Sequence, residues 1–480
     1  MKFTCEKNSV IVHSLLCVFG IGSWIAINGI WVELPILVQN LPEKWDLPSY
    51  LSVVIQLANI GPITYTLISV FLPNILNEKK VILTLLIIGS SACMLLSFFW
   101  DKVTLIAGRQ HSSALLILEF FLALVDCTSS VAFFPFVANF QEKYLISYFI
   151  GEGLSGLLPS FVALGQGAKN VECMNISITD VENITTYKLY PQLMPPHFPV
   201  RDFFLFLFTM MLLSGISFTL LNTLSICKNE MVINEKTFIR KDTTMTPSQS
   251  QQTTTVELND RDAFVSPCDC SEVGASGESV DHLYRGSNDR SENSDDGNND
   301  LVYGRTRHIS LSLFIYLIFL TTLLNALSNG VLPAIQSYAC LPYGNYPYFL
   351  SVLLNIMANP VTCFVAFFLP STNVIAFSIT TLLGLIFASY ELTLAVLSPN
   401  PFFKNESSGP VILVISWCLV AIFITYSKLS IATIFRRQGR KGMYWYGAVS
   451  QAGSAVGSII MFILVNVLHL FTSADACANN

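Results

Sequence analysis

Four pairs of polar residues at helical spacing lie inside apolar stretches of this chain. The pairs are Trp24 with Asn28, Gln56 with Asn59, Asn325 with Asn329, and Asn355 with Asn359. Residues three or four apart share one face of a helix, so each pair lies on a single face. Carboxamides combine hydrogen-bond donors and acceptors, which hydrocarbon cannot satisfy. Such faces suit either a neutral ligand with alternating hydrogen-bonding groups or bonds to neighbouring helices.

Buried acidic residues are a second candidate for chemistry, because a carboxylate within a membrane is unfavourable. The acidic residues within apolar runs are Glu119, Asp126, Glu152 and Glu391. Ser129 lies one helical turn beyond Asp126, and Glu152 stands between two glycines that allow close helix approach. The sequence leaves open whether one carboxylate couples proton movement or whether ion pairs and serine hydroxyls hold them.

The chain contains no arrangement typical of catalysis. Its six histidines fall in loops or near the ends of apolar runs, and no cysteine and histidine spacing resembles a metal site. A nucleotide-binding loop is also missing. We therefore expect a protein that is not an enzyme and holds no resident cofactor or metal. We also expect that it binds no nucleic acid and functions as a monomer among membrane lipids.

Membrane helices are the elements that must position these polar residues. Hydrophobic residues make up 52% of the 480 residues and charged residues only 12%, too little polar surface for a soluble globule. Apolar runs long enough to span a bilayer predict an all-α polytopic membrane protein with eleven spans. The predicted spans are 10–32, 48–72, 81–100, 112–140, 144–165, 202–227, 309–332, 346–369, 373–397, 410–435 and 443–471. The first is expected to be one continuous helix on which Gly20, Trp24 and Asn28 share a stripe.

Charges and glycosylation signals predict one orientation. Lysines and arginines concentrate in the short connections that are cytosolic when the N-terminus is cytosolic. The three N-glycosylation acceptors, Asn175, Asn183 and Asn405, then fall on the outside. An odd number of spans places the C-terminus outside as well.

The two halves of the chain resemble each other. Asn28-Gly29 in the first span matches Asn329-Gly330 in the seventh, and residues 48–56 align without gaps with residues 347–355. Because the first and seventh spans run in the same direction, the copies are parallel. We expect a six-plus-five, major-facilitator-like arrangement, similar to that of equilibrative nucleoside transporters, with a ligand held between the halves.

This repeat gives a domain prediction. A six-helix bundle covers 1–227, with a glycosylated outer loop at 166–201, and a five-helix bundle covers 307–480. Residues 228–306 are rich in Ser, Thr, Asn, Asp and Glu and predict a disordered cytosolic linker. Cys340 and Cys418 both fall on the outer, oxidising side, where either a disulfide between them or two free thiols is compatible with the sequence.

The longest motifs resemble the vertebrate riboflavin transporter family, solute carrier family 52. These motifs are 22–35, 54–62, 123–130 and 151–159. The resemblance extends through all eleven spans and fails mainly in 228–306 and 166–200. It implies sodium-independent uptake of riboflavin across the plasma membrane, with a pH sensitivity that differs among family members.

Together, the resemblance and the polar faces suggest a binding site between spans 1–6 and spans 7–11. The flat isoalloxazine ring would stack on Trp24, its edge would bond to amides, and the ribityl hydroxyls would meet Asp126, Ser129 or Glu152. The predicted substrate-binding residues are Trp24, Asn28, Gln56, Asn59, Asp126, Ser129, Glu152, Asn325, Asn329 and Asn355. Rival interpretations are an equilibrative nucleoside-type carrier of another planar heterocycle and a cell-surface receptor.

Overall fold

The computed structural model describes residues 2–72, 76–106, 108–167, 171–179, 185–193, 195–231, 310–368 and 373–473. Its helices are α1 Lys2–Ile21, α2 Ile25–Asn40, α3 Leu47–Ala58, α4 Ile60–Phe71, α5 Glu78–Phe99, α6 Ser113–Val137, α7 Leu145–Gln166, α8 Val200–Thr223, α9 Ser225–Asn229, α10 Leu311–Ala326, α11 Leu332–Cys340, α12 Asn345–Phe368, α13 Val374–Val396, α14 Ser408–Arg436 and α15 Gly439–Phe462. Two antiparallel hairpins pair β1 Thr104–Ile106 with β2 Arg109–His111, and β3 Val171–Thr179 with β4 Thr185–Leu193.

Up to eleven stretches of the described chain are long and apolar enough to cross a bilayer. Ten are single candidate spans, and α1 with α2 forms the eleventh as a bent pair. α3 and α4 together make the second span, and α10 and α11 together make the seventh. This confirms the all-α class and the predicted number of spans. Residues 232–306 of the predicted linker, like Asn183, lie outside the described residues.

The connections between spans alternate between two faces of the molecule. We term them the Trp45 side, where the first span ends and the second begins, and the Lys143 side, where α6 ends and α7 begins. On the Trp45 side the buried Glu43 carboxylate accepts hydrogen bonds from the backbone N–H and the hydroxyl of Ser112, at 2.7 and 2.5 Å. These bonds fix the turn between the first two spans against the start of α6.

The first span is interrupted, contrary to the prediction of one continuous helix. α1 ends at Ile21, α2 begins at Ile25, and the two axes differ by 52°. Trp24 precedes α2 with φ −133° and ψ 6°, outside the helical region. Gly20 therefore does not share a stripe with Trp24 and Asn28, because a stripe requires an unbroken helix.

The seventh span is interrupted at the equivalent position. There a π-helical turn, Leu327–Val331, separates α10 from α11 and includes Asn329. Single π turns within α-helices often mark functional sites, since the extra residue re-aims the side chains around it. Interruptions at corresponding positions of two repeats are typical of transporters that bind their substrate at the bilayer midplane.

Glycines bring the same pair of spans together in each half. A Cβ on Gly151 of α7 would overlap the carbonyl oxygen of Cys17 on α1, so the fifth span contacts the first backbone to backbone. A Cβ on Gly457 of α15 would likewise overlap the carbonyl oxygen of Ala326 on α10, where the eleventh span meets the seventh. This repeated packing supports the interpretation of the halves as structural copies.

Candidate ligand cavity between the two halves

A cavity of about 320 Å³ lies between the halves, at the level of the two interruptions. Residues of α2, α3, α6 and α7 line it from the first half, and residues of the π turn, α11, α12, α14 and α15 line it from the second. Its volume lies within the usual range for small-molecule sites. The polar and charged residues that line it include Asn28, Ser52, Gln56, Asn59, Glu152, Ser155, Ser328, Asn329, Gln336, Asn355, Asn359, Thr425, Lys428 and Gln451.

Most of the residues predicted from the sequence reach this cavity. Those that line it are Trp24, Asn28, Gln56, Asn59, Glu152, Asn329 and Asn355. They come from both halves, as the repeat predicts for a ligand held between the copies. Their contact with a ligand stays a prediction.

Corresponding asparagines of the two halves make the same contact. The amide nitrogen of Asn28 donates to the hydroxyl of Ser155 on α7, at 3.2 Å. The amide nitrogen of Asn329 donates to the hydroxyl of Ser454 on α15, at 2.9 Å. Each bond joins the first span of a half to the fifth span of the same half. It also holds an amide that lines the cavity in a fixed orientation. The same side chains thus bond a neighbouring helix and line the cavity.

Asn325, which the sequence predicts as a ligand residue, lies outside the cavity. Its side chain is 2% exposed and donates to the carbonyl oxygen of Thr321, at 2.9 Å, and to the hydroxyl of Ser450, at 3.2 Å. The prediction assumed that Asn325 and Asn329 share a helical face. The π turn between them rotates the face and leaves only Asn329 at the cavity.

Asp126 and Ser129 also lie outside the cavity, and both are fully buried. One Asp126 carboxylate oxygen accepts a hydrogen bond from the backbone N–H of Ile27, at 2.9 Å. The Ser129 hydroxyl shares its proton between the carbonyl oxygen of Ser23, at 3.0 Å, and that of Asp126 on its own helix, at 2.7 Å. Cys127 lines the cavity instead, because successive helical residues differ by about 100°. The face of α6 with Asp126 and Ser129 therefore meets the interruption of the first span.

Gln336 is a cavity residue that the sequence reasoning missed. It is 4% exposed, and its amide nitrogen has no hydrogen-bond partner among the described residues. It follows Asn329 by seven residues in an apolar run, a spacing of two helical turns that could have identified it. The indole nitrogen of Trp24 and the amide oxygen of Asn59 are likewise buried without a partner in the described chain. These three residues thus present two donors and one acceptor that are unpaired within the described chain.

The halves are joined to each other on the Trp45 side of the cavity. Hydrogen bonds that cross between the halves link Gln39 with Asn345, Trp45 with Ser337, Asp46 with Tyr338, and Ser49 with Asn466. The rings of Trp45 and Tyr338 pack edge to face with centroids 5.6 Å apart. These contacts close the cavity toward the Trp45 side.

The predicted disulfide between Cys340 and Cys418 is absent, since both thiols are free. Cys340 is fully buried beside Ser351 and Trp417. Cys418 follows Trp417 on α14, and the rotation of about 100° per residue turns it away from Cys340. The glycosylation acceptor Asn405 is exposed on the Trp45 side, before α14 begins.

Known proteins of similar sequence match almost the whole chain. A sequence model described as solute carrier family 52, riboflavin transporter, matches residues 8–473. A Danio rerio protein named solute carrier family 52, riboflavin transporter, member 3-A is 40% identical over 475 residues, 98% of each chain. A Bos taurus protein named member 3 of that family is 39% identical over 495 residues, 98% of each chain.

A solved structure extends the comparison to the fold. A POT family transporter in complex with 5-aminolevulinic acid superposes with a TM-score of 0.52 at 11% identity, covering 96% of this chain and 92% of that one. At this identity the likeness concerns the fold alone. It confirms the major-facilitator-like arrangement predicted from the repeat.

Proposed function

Because the chain belongs to solute carrier family 52, the riboflavin transporters, we propose that it carries riboflavin across the plasma membrane by alternating access. The observation that carries this proposal is the cavity between the halves, which amide side chains of both halves line. Transport needs no covalent step, so the protein acts without a resident cofactor or metal and is not an enzyme. It works as a monomer surrounded by lipid and without sodium.

The chemistry of the cavity supports a flavin as the substrate. The pyrimidine edge of an isoalloxazine ring presents two carbonyl acceptors with an N–H donor between them. The unpaired donors of Trp24 and Gln336 and the unpaired acceptor of Asn59 supply the groups that this edge requires. A buried polar group without a partner is unfavourable, so a ligand that pairs with these atoms gains affinity. The ribityl hydroxyls then meet Glu152 and Ser155.

The Trp45 side is extracellular in this proposal. The support is the exposed glycosylation acceptor Asn405 on that side and the predicted concentration of basic connections on the Lys143 side. The N-terminus is then cytosolic and the C-terminus extracellular. With the halves joined on the Trp45 side, the cavity is closed to the outside, and uptake requires that these contacts open and re-form in each cycle.

A Trp24→Ala variant tests the proposed site. The loss of the indole removes the donor proposed to bond the ring edge, together with a large aromatic surface of the cavity, so uptake of labelled riboflavin should fall to background while the variant still reaches the cell surface. Trp445→Ala is the matched control, because Trp445 is 51% exposed and does not line the cavity. Normal uptake by Trp24→Ala would remove Trp24 from the site.

Proteoliposomes containing the purified protein separate this function from its rivals. Uptake of labelled riboflavin should be inhibited by excess lumiflavin, which keeps the ring but lacks the ribityl chain, and should be unaffected by uridine. Inhibition by uridine alone would favour a nucleoside carrier. The absence of any riboflavin flux would favour a receptor.

A further inference from the structure

The interruption of the first span is held by two side chains of α6. A helix that starts inside a membrane exposes backbone N–H groups that need partners, and a helix that ends there exposes carbonyl oxygens. Asp126 accepts from the backbone N–H of Ile27, in the first turn of α2, and Ser129 donates to the carbonyl oxygen of Ser23, just before α2. The side chains of Asp126 and Ser129 therefore pair with backbone groups on both sides of Trp24.

The position of Asp126 is electrostatically favourable for such a role. The start of a helix carries a partial positive charge, which favours an acceptor oxygen at the first turn. Asp126 is fully buried, so the bond to Ile27 lies in a medium of low dielectric, where it is stronger than in water. The Asp126 side chain does not line the cavity, so an effect on a ligand would act through the structure around it.

That backbone carries two cavity residues. Trp24 immediately precedes α2, and its carbonyl oxygen accepts the first hydrogen bond of that helix, from the N–H of Asn28, at 3.1 Å. The direction of the Trp24 ring depends on where α1 stops and α2 starts. A continuous helix in this region would turn Trp24 and Asn28 relative to the second half.

We propose that Asp126 is a positioning residue for substrate, which with Ser129 holds the interruption of the first span so that Trp24 and Asn28 face the cavity. This inference goes beyond the proposed function and rests on it, since its test uses riboflavin. It assigns Asp126 an effect on affinity without contact with the ligand.

The test measures the Kd of the full-length purified protein for riboflavin by quenching of flavin fluorescence. Asp126→Ala leaves the Ile27 N–H without a partner, which should raise Kd by about 5-fold to 150-fold. Asp126→Asn keeps an acceptor oxygen of the same shape and should restore most of the affinity. Glu119→Ala is the matched control, because Glu119 is equally buried on α6, two turns away, and has no hydrogen-bond partner among the described residues.

A double-mutant cycle with Trp24→Ala distinguishes positioning from general destabilisation. If Asp126 acts through Trp24, Asp126→Ala should change Kd much less in the Trp24→Ala background than in the parent. If Asp126→Ala does not fold, Ser129→Ala decides, with an expected rise in Kd of about 2-fold to 13-fold. An unchanged Kd in the folded variants, or effects of Asp126 and Trp24 that simply multiply, would overturn the inference. Failure of the parent protein to bind riboflavin would instead overturn the proposed function.

Discussion

The hydrogen bond between Tyr338 and Asp46 gives the sharpest prediction about the transport cycle. It crosses between the halves on the Trp45 side, where the Tyr338 hydroxyl donates to the Asp46 carboxylate. The Tyr338 ring is 4% exposed and packs against Trp45 and Phe471. Tyr338→Phe keeps the ring and removes only the hydroxyl, so the change isolates one bond of this closure.

The magnitude follows from the kind of bond that is lost. A hydrogen bond to a charged group contributes about 1.5–3 kcal/mol. We expect the bond between Tyr338 and Asp46 to break when the Trp45 side opens, because it joins the two halves, and we expect water then to solvate both groups. Tyr338→Phe therefore destabilises the closed state alone. It should shift the equilibrium between the two states toward the open state by about 10-fold to 150-fold.

The assay is the rate at which a membrane-impermeant maleimide labels a cysteine at position 52. Ser52 is 2% exposed and lines the cavity, so a cysteine there reacts from outside only when the Trp45 side opens. The background replaces Cys127 and Cys363, the native cysteines that line the cavity. Tyr338→Phe should increase the labelling rate by the same factor of about 10 to 150, as long as the open state stays a minor population.

A neighbouring tyrosine provides the control for this experiment. Tyr343→Phe also removes one hydroxyl near the Trp45 side, but that hydroxyl donates to the carbonyl oxygen of Phe402 within the second half. It should leave the labelling rate unchanged. Equal labelling of Tyr338→Phe and its parent, or an equal increase in both phenylalanine variants, would refute the assignment of the bond to closure.

Two further predictions concern stability and orientation. Gly151→Ala should lower the thermal unfolding midpoint, because the new methyl group overlaps the carbonyl oxygen of Cys17 and such overpacking costs about 1–3 kcal/mol. Gly165→Ala is the control and should leave the midpoint unchanged, because its new methyl group has nothing within 4 Å. Equal midpoints for the two variants would contradict the close packing. Asn405→Gln should increase gel mobility by one glycan and leave riboflavin uptake unchanged, since Asn405 is exposed and lies outside the cavity; an unchanged mobility would argue against an extracellular Trp45 side.

The sequence was sufficient to predict the architecture and much of the cavity. Hydropathy alone predicts the number of spans, because each must be apolar over a bilayer thickness. Asn28 and Asn329 could be predicted as corresponding cavity residues because both belong to an Asn-Gly motif repeated in the two halves. Polar residues that recur at equivalent positions of a repeat are a stronger signal than any single polar residue.

The errors arise where contacts between distant residues decide the backbone. The bond from Ile27 to Asp126 joins residues 99 positions apart, and no local pattern indicates that it replaces a helical turn. The same limit explains why the sequence placed Asp126 at the ligand. A helical projection of α6 alone cannot show whether a residue faces the interruption of the first span or the cavity. Asn325 was misplaced because hydropathy does not distinguish a π turn from an α turn. The pairing of Cys340 with Cys418 required a separation that sequence does not contain.

The glycine contacts within each half limit how the protein can move. At Gly151 and at Gly457 one backbone rests directly on another, so no rotamer change can relieve a displacement there. The first and fifth spans, and the seventh and eleventh, must therefore travel as rigid units. Sliding is left to contacts between the halves such as α7 against α12, where a Cβ added at Gly153 would lie at an ordinary van der Waals distance, 3.6 Å, from the Cβ of Pro360. A bulkier residue at position 153 would slow the transport cycle and leave the packing within each half unchanged.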